Sequence, residues 1–154
     1  MNIKEQIALK GHYKFTIRDK ATGKVKRVYE YENLLPTVGR TMIADNLTNA
    51  APDNAMRVNY VALGSGVTAP ANGDTTLQTE TYRNVVASET NANNVAYITG
   101  FFSATETTGT YRECGLFSNG TASANTGILL SRVAINITKS NTETLTLDWT
   151  LTIS

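Results

Sequence analysis

The chain has few of the residues on which enzymes and disulfide-linked proteins depend. Its 154 residues include one cysteine, Cys114, and one histidine, His12. A lone cysteine cannot form an internal disulfide, so we expect stability to come from packing, or from packing together with association with other chains. A lone histidine leaves few ways to assemble acid–base or metal chemistry. The sequence therefore predicts no catalytic, cofactor-binding or metal-binding residues, and we expect the protein not to be an enzyme.

Charge is also scarce. Charged residues make up 18% of the chain and the formal net charge is +1, whereas about a quarter of a typical soluble protein is charged. A nearly neutral chain has no electrostatic reason to bind nucleic acid or an anionic membrane. No apolar run approaches the length of about 18 residues that a membrane-spanning helix needs, and residues 1–6 lack the apolar core of a secretory signal. We therefore expect neither nucleic acid nor membrane as a partner.

Threonine, asparagine, serine and glycine take the place of the missing charges, and they suit strand faces and turns. The last stretch, Glu143–Ser154, shows this most clearly, because threonines and one aspartate alternate with five apolar residues. Those apolar residues share one side of an extended chain: Leu145, Leu147, Trp149, Leu151 and Ile153. A period of two predicts a strand, with Trp149 at the centre of its buried face. We expect this strand to tie the C-terminus into the core.

The N-terminal region predicts a hairpin over residues 12–32. Two alternating stretches flank residues 19–23, which begin with Asp and end with Gly, as hairpin connections often do. Residues 1–11 fit either a short strand or an arm that lies on a neighbouring chain. After Pro36 interrupts the pattern, Thr37 is a suitable cap for one short helix over 38–49, in which Met42, Ile43 and Leu47 stand at helical spacings.

The rest of the chain predicts strands separated by polar turns. Strands are expected at 58–63, 82–88, 95–104, 110–117, 128–137 and 143–154, with a turn at 89–94. Because 95–104 is apolar on both sides, we expect it to be covered on both faces, and Gly115 is a candidate bulge. With the hairpin, this gives seven or eight strands at sandwich-like spacing. The sequence thus predicts a mainly β single domain over 1–154, an antiparallel β-sandwich of jelly-roll or Ig-like type.

Few residues are candidates for chemistry. We interpret His12 as a solvent-facing strand residue and Cys114 as a small buried hydrophobe, because neither has a partner nearby in the sequence. Gly64-Ser-Gly66 follows a strand like a phosphate loop, but lacks the third glycine, the lysine and the helix, so we expect a turn. The carboxylates are scattered singly, and a glycosidase-like pair would have to be assembled by the fold. Tyr13, Tyr29 and Tyr31 offer stacking surfaces, although a half-buried hairpin face is the favoured interpretation.

Several phrases occur in a familiar order. They are Asn33–Arg40, Asn59–Leu77, Thr99–Phe117, Leu129–Arg132 and Leu147–Leu151. Together they resemble small structural proteins of tailed bacteriophages, of the tail, collar or fibre-associated kind, over residues 33–154. Where that pattern has Glu-Ala-Gly-Leu-Phe, this chain has Cys114 in place of the alanine. The phrases describe turns and strands, so the resemblance transfers no catalytic residue.

The resemblance implies a non-enzymatic structural protein of a virion that assembles in the host cytoplasm. It would belong to the tail, neck/collar or baseplate, attach to or support a fibre, and bind other virion proteins and copies of itself as a homo-oligomer. Two alternatives stay open: a capsid decoration or head-fibre protein, and a carbohydrate-binding module that recognises a host surface glycan through Tyr13, Tyr29, Tyr31 or Tyr97. A hydrolase would instead require carboxylates that converge in a cleft.

Overall fold

A computed structural model describes residues 6–48 and 56–154, which form one helix and nine strands. In chain order the elements are β1 (Leu9–Asp19), β2 (Val25–Glu32), α1 (Thr37–Thr48), β3 (Val58–Gly64), β4 (Glu80–Val85), β5 (Ser88–Ala92), β6 (Val95–Phe102), β7 (Gly109–Ser118), β8 (Ile128–Lys139) and β9 (Glu143–Ile153). The strands form a five-stranded sheet of order β2-β1-β9-β6-β5 and a four-stranded sheet of order β4-β3-β7-β8. All neighbouring strands are antiparallel. The predicted antiparallel β-sandwich with an N-terminal hairpin and one short helix is confirmed.

The C-terminal strand β9 is the middle strand of the five-stranded sheet, between β1 and β6. Its inward side chains Leu145, Leu147 and Trp149 are buried, as the alternation predicts. Ile153 is the exception, being 47% exposed where the strand ends. The buried face of β9 requires a layer opposite it, which is the four-stranded sheet, so β9 lies at the centre of the core.

The hairpin β1–β2 connects through the predicted turn, where the Asp19 carboxylate accepts hydrogen bonds from the Thr22 N–H (2.8 Å) and hydroxyl (2.9 Å). Gly23 has φ of 69°, which favours glycine. Strand β1 begins before the predicted hairpin, because Leu9–Gly11 pair with the end of β9. These three residues therefore belong to the sheet and not to an arm over 1–11, and residues 1–5 lie outside the described residues.

Helix α1 begins at Thr37 and ends at Thr48, and the predicted last residue, Asn49, lies outside the described residues. Met42 is buried, whereas Leu47, the last apolar residue at helical spacing, is 81% exposed. The helix packs closely against β8 near Gly39, where a Cβ atom would lie 2.8 Å from the Leu130 carbonyl oxygen. Because contact is concentrated at this close approach, the last turn of the helix lies away from the core.

The four-stranded sheet is covered on both faces. Its inner face packs on the five-stranded sheet, and its outer face lies under α1 and the loop of residues 65–79, where Leu77 packs with Phe117 and Leu129. Gly115 is not a bulge, because it pairs in register with Arg132. The glycine instead allows a close approach, since a Cβ atom there would lie 2.9 Å from a Leu77 methyl group. The register of β7 shifts on either side, between Tyr111 and Glu113 and between Leu116 and Phe117.

The five-stranded sheet differs from the prediction in two places. Residues 88–92 form the edge strand β5 where a turn was predicted over 89–94, and the actual turn is Asn93-Asn94, with Asn93 at φ 51°. This strand raises the expected seven or eight strands to nine. The prediction that 95–104 is covered on both faces is wrong, because Tyr97 and Phe101 are exposed on the outer face of β6. In the described part of the chain, no layer covers the outer face of this sheet.

Among the described residues, no helix has the length and apolar character needed to cross a bilayer.

Candidate functional site

A buried charged cluster lies between the four-stranded sheet and the 65–79 loop. Arg132 of β8 is 2% exposed. Its Nε and Nη2 atoms donate to Glu113 Oε2 at 3.2 and 2.9 Å, and Nη1 donates to Asp74 Oδ2 at 2.5 Å. Nη2 also donates to the Thr68 carbonyl and hydroxyl oxygens, each at 3.1 Å. The guanidinium thus joins a strand to both arms of the loop.

Strand β7 aims Glu113 at this cluster where its register against β8 shifts. The register shift after Tyr111 lets Tyr111 and Cys114 face the inner core while Glu113 faces outward, under the loop. There the carboxylate accepts hydrogen bonds from the backbone N–H groups of Gly66 (3.1 Å), Gln78 (2.9 Å) and Thr79 (2.7 Å). Backbone donors and Arg132 together occupy both oxygens, as a buried carboxylate requires.

This arrangement explains the two glycines of Gly64-Ser-Gly66. A Cβ atom on Gly64 would lie 2.6 Å from Glu113 Oε1, and a Cβ atom on Gly66 would collide with the same oxygen. The anion that this glycine-containing segment binds is therefore the chain's own Glu113 carboxylate. In place of the predicted turn, Gly64 ends β3 and Ser65-Gly66 begin the 65–79 loop.

Asp74 completes the cluster at its more exposed end. Burial alone would raise the pKa of the Asp74 carboxyl, but hydrogen bonds from the Ala71 N–H (2.7 Å) and Arg132 lower its pKa below the ordinary value. Asp74 is therefore an ionised partner of Arg132 at neutral pH. Two carboxylates that are far apart in sequence do come together here, but each is engaged by donors of the protein, so the cluster acts as a clamp on the loop.

Two other buried charged side chains are also satisfied internally. Lys139 Nζ donates to the carbonyl oxygens of Ala104, Glu106 and Thr107 at 2.9–3.3 Å. Burial raises the pKa of Glu143, but hydrogen bonds from Lys26, the Ser140 N–H and Arg27 outweigh it and lower the pKa to about 2. These contacts join turns to neighbouring strands, so they stabilise the sandwich.

The residues considered for chemistry lie apart. His12 is on β1, where it stands opposite Glu32 and Thr150 on the outer face of the five-stranded sheet. Cys114 is fully buried in the core of the sandwich, and burial followed by the charge of Glu113 raises the pKa of its thiol. Nucleophile and base are therefore not brought together. Among the described residues, no three His, Cys, Asp or Glu side chains form a group that could hold a metal ion.

The hairpin tyrosines are packing residues. Tyr13 is fully buried, and its hydroxyl donates to Ser131 Oγ at 2.9 Å. Tyr29 and Tyr31 pack half-buried against the core, where Tyr31 meets Phe15 edge-to-face with ring centroids 5.9 Å apart. The favoured interpretation of a half-buried hairpin face is confirmed for these two. Of the four tyrosines considered for glycan stacking, Tyr97 alone is exposed on an open face.

An apolar cavity of about 370 Å³ opens at one end of the sandwich. Ile98, Leu130 and Trp149 contribute to its walls, and an ion pair between Arg57 and Glu89 lies at its rim. Its apolar walls offer no acid–base pair, since Glu89 is already bound to Arg57.

The outer face of the five-stranded sheet is left uncovered by the described residues. We call it the open face. Its acidic and basic side chains lie mainly on β2 and β1: Lys10, Lys14, Arg18, Glu30 and Glu32. Strand β9 contributes Thr144, Thr146, Asp148, Thr150 and Thr152, and β6 contributes Tyr97, Thr99 and Phe101. The sequence analysis predicted neither the clamp nor the part of this face that β9 and β6 form. The one available signal, for the face, was the apolar character of both sides of β6.

Comparison with protein-family models, with characterised proteins and with solved structures finds no match to this chain.

Proposed function

We propose that this chain is a non-enzymatic structural protein of a tailed-phage virion. It is part of the tail, neck/collar or baseplate, attaches to or supports a fibre, and binds other virion proteins and further copies of itself. The observation that carries this proposal is the open face: a whole five-stranded sheet presents its outer surface, while the other sheet is covered on both sides. Assembly provides a partner for such a surface.

The long edge of the four-stranded sheet is sealed, which favours the open face over this edge as the surface for docking. Leu34 forms an isolated bridge with Arg132 on β8, with both N–H···O distances at 3.0 Å. Further along β8, the Asn136 N–H donates to the Tyr31 hydroxyl, and Arg27 donates to the Thr138 carbonyl oxygen. Sealed edges prevent strand-to-strand aggregation.

The phrases that resemble phage structural proteins meet in the clamp. Arg132 comes from one phrase, Glu113 from a second, Asp74 and the glycine-containing segment from a third, and Leu34 from a fourth. These phrases therefore contain the residues that hold the loop on the sandwich and make the fold rigid. A rigid body fits a protein that holds its neighbours in register, because little conformational entropy is lost when it binds.

The experiment is to change the middle of the open face and follow assembly. Thr146→Arg places a large cation on the outer side of β9, and Thr138→Arg, on an exposed position of β8, is the matched control. In purified particles, quantitative mass spectrometry should detect the parent and the Thr138 variant at equal copy number, and the Thr146 variant at a much lower one. Cryo-electron microscopy of the parent particle distinguishes a tail, collar or baseplate position from a capsid decoration or head fibre.

The proposal fails if the chain is missing from purified particles, or if the Thr146 variant is incorporated as well as the parent. Sedimentation velocity of the isolated chain tests self-association separately, because a homo-oligomer held through the open face should dissociate when Thr146 becomes arginine.

A further inference from the structure

Two aromatic side chains stand on the open face where polar residues would be expected. Tyr97 is 41% exposed and Phe101 is 43% exposed, and both point outward from β6, opposite to the buried Ile98 and Phe102. Four residues along a strand correspond to about 13 Å. Both rings lie on the outer face that no described layer covers, so their exposed faces are available for stacking with another molecule.

Hydroxyl groups and one carboxylate lie between and beside the rings. Thr99 stands between them on β6 and donates from Oγ1 to Asp148 Oδ1 at 3.0 Å. Thr150 lies across from Tyr97, and Thr146 lies across from Phe101. A protein-binding hot spot has a continuous apolar centre with a polar rim. Here polar groups separate the rings, which suits a ligand that presents apolar faces and hydroxyl groups in alternation.

The distribution of charge on this face further restricts the class of ligand. In the half of the open face formed by β9, β6 and β5, Asp148 is the one charged side chain that faces outward among the described residues; Glu89 of β5 is paired with Arg57 at the rim of the cavity. The basic side chains of the face, including Lys14, stand on β1. Lys14 is the cross-strand partner of Asp148 and marks the border of this half. Beyond that border the half offers nothing to neutralise an anion, and a single carboxylate accepts hydrogen bonds well from uncharged hydroxyl groups.

We propose that this half of the open face binds a neutral glycan. Sugar rings stack on Tyr97 and Phe101, and sugar hydroxyl groups donate to the Asp148 carboxylate and exchange hydrogen bonds with Thr99 and its neighbours. The site is a property of the folded monomer and does not depend on membership of a virion.

Isothermal titration calorimetry of the purified chain tests the site directly. The probes are cellohexaose, maltohexaose and chitohexaose, which are neutral, and hexagalacturonate, which is anionic. At least one neutral probe should bind with Kd between about 10 µM and 1 mM, and hexagalacturonate should bind more weakly. Tyr97→Ala and Phe101→Ala should each weaken that binding about fivefold or more, whereas Tyr97→Phe and Phe101→Tyr should retain it.

Val28→Ala is the matched control, because Val28 is 47% exposed and lies in the same cross-strand row as Phe101, on the charged half of the face. Its affinity should equal that of the parent. The inference is overturned if all three neutral probes bind more weakly than about 1 mM, if the two alanine variants bind like the parent, or if Val28→Ala weakens binding equally. Glycan binding by a chain that is missing from phage particles would overturn the virion proposal and leave this one standing.

Discussion

The outer faces of the two sheets differ in what covers them. On the four-stranded sheet, Phe117 and Leu129 lie under α1 and the 65–79 loop, and the clamp of Arg132 fixes that loop in place. On the five-stranded sheet, threonines and charged side chains of β9 and β1 meet no further layer in the described part of the chain. A strand that is apolar on both sides, such as β7, is covered twice, and a strand that alternates, such as β9, is covered once.

Strand β6 departs from this rule. It is apolar on both sides, yet its outer side carries exposed Tyr97 and Phe101. These two exposed rings are the observation on which the proposed glycan site rests. The comparison therefore separates the apolar residues that build the core from the two that the proposal assigns to a ligand.

The largest effect is expected on the inner side of β9. Trp149→Ala removes a side chain that is 1% exposed and packs beside Tyr13 with ring centroids 6.3 Å apart. The cavity left behind should lower the free energy of unfolding by about 3–5 kcal/mol in urea titrations. Asp148→Ala, the next residue on the opposite side, should change it by less than about 0.5 kcal/mol. Similar losses in both variants would show that the two sides of β9 do not differ.

A loss of unfolding free energy of similar size is expected at the clamp. Arg132→Met removes the guanidinium and leaves the buried Glu113 carboxylate without its countercharge, which should cost about 3 kcal/mol or more. The control is Arg57→Met, because the Arg57–Glu89 pair is on the surface and solvent screens it. Urea midpoints should fall sharply for the first variant and stay within error for the second. A clamp variant as stable as the parent would mean that the loop is held by other contacts.

Two glycines of the same loop region test how closely the loop packs over the four-stranded sheet. At Gly66 a Cβ atom would lie 2.5 Å from the Cβ of Gln78, so Gly66→Ala should destabilise the protein by about 1–3 kcal/mol. At Gly73 nothing lies within 4 Å, so Gly73→Ala should be neutral or slightly stabilising. Thermal melting of the two variants gives the comparison, and a reversed order would contradict the packing of the glycine-containing segment on Glu113.

Acid should weaken the seam between the hairpin and β9 through Glu143. Its pKa is about 2 in the folded chain against an ordinary value of 4.5, so its contribution to stability is present above pH 4.5 and is lost as pH falls toward 2. Glu143→Gln lacks this contribution at every pH. Urea midpoints measured at pH 6 and pH 3 should therefore differ less in the variant than in the parent. An equal pH dependence would remove Glu143 from this role.

The smallest effect is expected on the open face itself. Thr146→Arg should change the free energy of unfolding of the isolated chain by no more than about 0.5 kcal/mol, because its side chain meets no covering layer. Differential scanning calorimetry checks this at low protein concentration, where self-association does not contribute. A large loss would show that the face supports the fold and is not free for docking.

Alternation and turn chemistry predicted most of the strands, since both depend on residues that are close in sequence. They placed β9, the hairpin and its Asp19 turn correctly. They missed β5, whose residues Ser88–Ala92 are too polar to show a buried side, and helical spacing grouped the exposed Leu47 with the buried Met42. Spacing identifies a face of a helix, but the neighbouring sheet decides how much of that face is buried.

The sequence by itself determined that this is an antiparallel β protein with a buried C-terminal strand. These conclusions follow from local period, turn residues and composition. Only the tertiary structure decided the strand order, which sheet is covered twice, and that Arg132 meets Glu113 and Asp74, residues 19 and 58 positions away in the chain. Such contacts depend on how whole sheets pack, because the alternation of one strand is compatible with several neighbouring strands.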